Sequence, residues 1–128
     1  MTTVLIDSGV DSLEDLLGLL PFSVAKRLDR DELTYPGTAA ALRVLATIRD
    51  ERWQEHVTDV ICWADLLEWA RDTYRSTDSV RVRVEIAASL AGHPDAQAVL
   101  LYAARALDSD NFAAVMDALR IAQQGVAR

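Results

Sequence analysis

The residues able to do acid–base, metal or nucleophilic chemistry are few and scattered: two histidines and one cysteine in 128 residues. His56-x-x-Asp59 sets an imidazole and a carboxylate one helical turn apart. That is half a metal site, because zinc asks for three or four ligands, and no Glu-x-x-His pair of the helical di-iron type completes it. Cys62 would need an activating base to act as a nucleophile, and on a helix His56 would lie far around the axis from it. Cys62 therefore reads as a small apolar residue, His56 as a solvated or locally bonded side chain, and His93, just before Pro94, as a helix-start residue. The five glycines form no phosphate-cradling loop, and no serine sits in a nucleophile elbow. The pattern predicts a non-catalytic chain with no cofactor, no metal and no small-molecule substrate.

What remains is surface chemistry. Asp65, Glu68 and Asp72 recur at helical spacing, an acidic stripe able to meet a cation, a basic partner or water. Beside it, Trp63, Leu66 and Trp69 bring aromatic and aliphatic surface, and tryptophan is enriched among binding hot spots. The chain carries a formal net charge of −7, with 12 arginines and one lysine, Lys26, as its bases. That balance argues against broad nucleic-acid binding, which relies on Lys and Arg neutralising phosphates. It suits a basic protein partner.

The elements that must position these residues are legible from punctuation. From Thr38 to Ala91 there are 54 residues without glycine or proline, the residues that interrupt regular backbone. With its alanine, leucine, arginine and glutamate, this stretch predicts helix. Residues 1–10 read as a loose segment from which Val4-Leu5-Ile6 docks on the core. Asp11 or Ser12 caps a first helix with Leu13, Leu16, Leu17 and Leu20 on one face, ended by Pro21. A short helix, Phe22 to Leu28, leads into a polar linker, 29–37. Thr38 caps a helix to Arg49 with Leu42, Leu45 and Ile48 inward. A break at 49–52 follows, one continuous helix being the alternative, and the next helix reaches Tyr74. Ser76-Thr77-Asp78-Ser79 caps another. There the alternation of Val80, Val82, Val84 and Ile86 with charged residues is strand-like, yet the run into Ile86-Ala87-Ala88-Ser89-Leu90 favours helix. Pro94 opens a helix to Leu107. Asp108 to Asn111 caps the last, whose stripe is Phe112, Val115, Met116, Leu119 and Ala122, ended by Gly125.

Residues 53–74 carry the functional expectation. At about 100° per residue, Trp53, Val57, Val60, Ala64 and Leu67 share one face, and Cys62, Leu66 and Trp69 lie on the opposite one. A helix apolar on two sides is either surrounded by its own bundle or presents one side to a partner.

Two resemblances add to this. Val82-Arg83-Val84-Glu85-Ile86-Ala87-Ala88-Ser89-Leu90, with the Gly92-His93-Pro94-Asp95 turn, resembles the helical hairpin of HEAT-like repeats over residues 78–124. The following helix, Asn111 to Leu119, lacks the Val-Arg signature. The resemblance implies a protein-binding scaffold without catalysis. Phe22-Ser23-Val24-Ala25-Lys26-Arg27-Leu28 resembles the first helix of a helix-turn-helix, though Asp29 stands where the turn takes glycine.

The chain is thus expected to be all-α, a single-domain bundle of five to six helices or a short stack of helical hairpins. No signal peptide or membrane span is evident, which points to the cytoplasm. The expected function is adaptor, assembly or inhibitory protein, binding a protein partner or itself through Trp63, Leu66, Trp69, Asp65, Glu68 and Asp72. The alternatives are an acidic mimic of a nucleic-acid backbone and a helix-turn-helix regulator using residues 22–49.

Overall fold

Ala39, Ala40, Ala41, Leu42, Val44 and Leu45 are all fully buried, which makes the helix that carries them the axis of the fold. The computed structural model describes residues 9–127; the expected docking of Val4-Leu5-Ile6 lies outside them. The described α-helices are α1 (Leu13–Leu19), α2 (Phe22–Arg27), α3 (Pro36–Leu45), α4 (Trp63–Thr73), α5 (Ser79–Leu90), α6 (Leu100–Ala106) and α7 (Ser109–Gln124). Two 3-10 segments, Arg30–Thr34 and Glu51–His56, complete them. No strand occurs among the described residues, only two isolated bridges. The chain is all-helical.

The helix ends follow local chemistry. Ser12 caps α1 by accepting from the Asp15 amide. Asp78 caps α5 and Asp108 caps α7 in the same manner, each satisfying an amide that has no partner within the helix. Pro36 stands at the first position of α3, ahead of the expected cap at Thr38, where its missing N–H costs nothing. Gly92 and Gly125 take positive φ (83° and 75°) just past α5 and α7, a conformation glycine adopts without penalty.

α3 packs most extensively against α7, then against α5, and α1 lies on it as well. α4 and α6 pack on α5. The alanines of α3 and the Ala114, Val115, Ala118 and Ile121 row of α7 are buried, and small residues let two axes approach closely. At the other contact, a Cβ built on Gly37 would stand 2.6 Å from the Leu90 carbonyl oxygen. Neither backbone can yield freely, so Gly37→Ala is expected to destabilise the fold by about 1–3 kcal/mol. Urea unfolding would read this as a lower midpoint at unchanged slope.

α5 explains its own strand-like sequence. Seven consecutive residues, Val82 to Ala88, are buried, because the helix lies between α3 on one side and α4 and α6 on others. Alternate valines therefore meet different neighbours.

Three expectations are corrected. Residues 53–74 are not one helix: a 3-10 segment ends at His56, and α4 begins only at Trp63. Between them Val57, Thr58, Val60 and Ile61 are β-branched, which disfavours helix. Thr58 donates its amide to the Val60 carbonyl (2.9 Å), and Val57 bridges Ile61. The Asp59 carbonyl is taken by the Asp29 amide at 2.9 Å. The role of central helix falls to α3. Secondly, Pro94 does not open a long helix, since α6 starts at Leu100. The backbone before it is held by side chains instead: the Gln97 amide donates to Glu85 Oε1 (2.9 Å), and Arg71 donates to the Asp95 carbonyl (2.6 Å). Thirdly, α7 is rotated from the expected stripe. Val115 is buried as expected, but Phe112, Met116 and Leu119 are exposed. Within the polar linker at 29–37, a 3-10 turn buries Leu33.

Candidate interaction surfaces

On α4 the expected contact residues separate. Leu66 is fully buried and Cys62, at the helix cap, is half-buried. Leu66 is therefore core, and the face drawn through Cys62, Leu66 and Trp69 does not exist as a surface. Asp65, Glu68 and Asp72 are exposed and enter no ion pair among the described residues. Trp63 and Trp69 are half-buried against the core.

Trp69 already has neighbours. The Arg52 guanidinium lies 5.7 Å from its ring centroid, within reach of a cation–π attraction. Tyr74 meets it edge-on at 5.8 Å and 82°, and the His56 ring is 5.9 Å away. Arg52 is itself anchored, donating from Nη2 to Asp50 Oδ2 (2.6 Å) and from Nε to Oδ1 (3.0 Å). The Tyr74 hydroxyl donates to the same carboxylate. Hydrogen bonds from Arg52, then from Tyr74, hold the Asp50 carboxyl far below the usual range. The bond to Asp50, with burial, pushes the Tyr74 hydroxyl up. This cluster joins the 3-10 segment to the end of α4, a structural use of the indole that leaves less of it for a partner.

The other expected sites are local too. His93 Nδ1 accepts from the Asp95 amide (3.2 Å) in a turn. No group of three or more potential metal ligands occurs among the described residues. α3 stands where a recognition helix would follow α2, and six of its ten residues are buried.

Among the described residues, one row of exposed apolar side chains lies on α7. Phe112 is 42% exposed, Met116 53% and Leu119 48%. Their spacing of four and three puts them in one row within about 60° of helix surface, opposite the side that packs on α3. Phe22, Leu100 and Leu101 are exposed elsewhere, Phe22 under the Lys26 ammonium. Sequence reasoning missed this face because it assigned the largest side chains of α7 to the core. The available signal was the second row, Ala114, Ala118 and Ile121, whose small members match the alanines of α3.

Two buried carboxylates hold the frame behind these surfaces. Asp117 accepts from Arg43 (2.8 Å), Arg120 (2.7 Å) and the Val10 amide (3.0 Å). Burial pushes its carboxyl up, but the hydrogen bonds from Arg43, Arg120 and Val10 outweigh that and leave it lowered. Glu85 follows the same logic, with Arg71 (2.8 Å), the Gln97 amide and Arg81 outweighing burial. No described helix is long and apolar enough to cross a membrane. Comparison of the chain with protein-family models, with curated proteins and with solved structures found no match.

Proposed function

We propose that this protein is a non-catalytic interaction protein, an adaptor, assembly or inhibitory factor, that packs the outer face of α7 against an amphipathic helix of its partner. The observation that carries the reading is the exposed row Phe112, Met116 and Leu119. Three large apolar side chains in a row at 4-3 spacing are what one helix offers to another in ridge-and-groove packing. Stacked helical hairpins leave such a face wherever a further hairpin would lie, in keeping with the HEAT-like pattern of α5. The net charge of −7 favours a partner helix flanked by basic residues.

The test is Met116→Glu. At 53% exposure, the side chain can change with little effect on the monomer, within about 0.5 kcal/mol, while a charge in the row would disrupt helix packing. Sedimentation of the wild type over a concentration range reads self-association. A photo-crosslinker at position 116, followed by reconstitution with the purified captured protein, reads a foreign partner. Loss of either interaction in Met116→Glu supports the proposal; equal association by variant and wild type refutes it.

A second reading, mimicry of a nucleic-acid backbone, draws on the exposed row Asp65, Glu68 and Asp72 of α4. It requires that neutralising these three acids, and not Met116→Glu, abolish partner binding.

A further inference from the structure

The buried carboxylates of this chain are matched by arginines, Glu85 by Arg71 and Arg81, and Asp117 by Arg43 and Arg120. Arg83 breaks the pattern. It is 7% exposed and enters no ion pair among the described residues. Its Nε donates to the Ser79 carbonyl (3.1 Å). Its Nη1 faces the Thr47 carbonyl (3.0 Å), Thr47 Oγ1 (2.9 Å) and Asn111 Oδ1 (3.3 Å). These neutral acceptors fix the plane of the guanidinium without cancelling its charge. Nη2 hydrogen-bonds to no described residue. Burial lowers the pKa of the group, countered in part by the charges of Asp108 and Asp78. Asp108 and Asp78 act on it from beyond ion-pair distance. A buried cation that no carboxylate contacts is costly, and it draws an anion to itself.

Arg83 lines an open groove of about 800 Å³ between the end of α3, the start of α5 and the start of α7. Of the other charges there, Arg43 is engaged by Asp117, and Asp50 by Arg52 and Tyr74. Arg49, exposed and in no ion pair among the described residues, adds a second free cation. Asp108 and Asp110 line the α7 side. They would repel a phosphate dianion more strongly than a singly charged carboxylate, and they leave room for a cationic group carried beside it.

We propose that this groove is a carboxylate-binding site, with Arg83 Nη2 as its buried donor and Arg49 as its outer cation. The carboxylate comes from a small organic acid or from a peptide. The site is separate from the outer row of α7, and its test does not depend on that surface.

The experiment is an NMR titration of the full chain, following arginine Nε and backbone resonances at constant ionic strength. The probes are acetate, inorganic phosphate, and a short alanine peptide with a free or an amidated C-terminus. Acetate is expected to shift Arg83, Thr47 and Asn111 saturably. The free peptide binding more tightly than acetate, and the amidated one not at all, would identify a peptide terminus as the source; acetate alone would identify a small acid. Arg83→Met should weaken acetate binding by about 10-fold or more, and Arg49→Ala by a few-fold. A response equal to that of chloride, tighter binding of phosphate than of acetate, or shifts that persist in Arg83→Met would overturn the proposal. If Arg83→Met fails to fold, the surface variant Arg49→Ala decides, and unchanged acetate affinity there overturns it.

Discussion

Trp53→Ala is expected to lower stability by about 3–5 kcal/mol, the range for removing a large buried aromatic side chain. Trp53 is fully buried, and its indole N–H donates to the Ile48 carbonyl at 3.1 Å. It sits in the 3-10 segment Glu51–His56, within the same core cluster as Val57, Leu66 and the inner residues of α3. Truncation opens a void where the chain is least regular, and it strips the Ile48 carbonyl of its partner. The thermal midpoint should fall by roughly 10–20 °C for a domain of this size. Trp53→Phe keeps most of the ring contact and should lose less than half as much. A midpoint within a few degrees of wild type for the alanine variant would show that the indole is not packed as described.

Asp117→Ala is expected to cost about 3–5 kcal/mol, as for breaking a buried ion pair by removing one partner. It would leave Arg43, whose side chain is 15% exposed, without its counter-charge, and it would free the Val10 amide that anchors the segment before α1. Denaturant unfolding would read the loss, and amide exchange at Val10 would rise with it. The same carboxylate sets an acid limit. Asp50, Glu85 and Asp117 all have folded-state pKa values below their ordinary values of 3.8 for Asp and 4.5 for Glu. Their stabilisation is whole above that range. As the pH falls through it, the unfolded chain takes up protons that the folded chain refuses, and stability declines. Asp117→Ala should show a shallower decline than wild type between pH 5 and about pH 2.

The segments that were legible in the sequence are those decided by local chemistry. Pro21, the Asp78 and Asp108 caps and Gly125 each act on backbone within a few residues, and the helix ends lie beside them. The α5 helix could be read over its strand-like alternation because its second half is plainly helical. The 57–62 segment was not legible from the absence of glycine and proline, since β-branched residues interrupt a helix as well, here with Thr58 bonding Val60 within the segment and the Asp29 amide taking the Asp59 carbonyl. The expected surface failed for a related reason. Leu66 and Trp69 were assigned to an outer face by a helical phase that ran back through residues 53–62, and that phase has no meaning once the segment bends. On α7 the choice of core face was made by α3, whose alanines accept a small-residue row, and no local signal in α7 carries that fact. Nor does anything near Arg83 in sequence announce that Glu85, two residues on, will form ion pairs while Arg83 forms none among the described residues.

The three indoles stand in three different media. Trp53 is enclosed and dry, Trp63 is half in water at the start of α4, and Trp69 is stacked among an arginine, a tyrosine and a histidine. The chain thus carries its own set of optical reporters. A red shift of Trp53 emission marks the dismantling of the interior, whereas a change confined to Trp69 emission marks rearrangement of the Asp50–Arg52–Tyr74 corner with the interior intact.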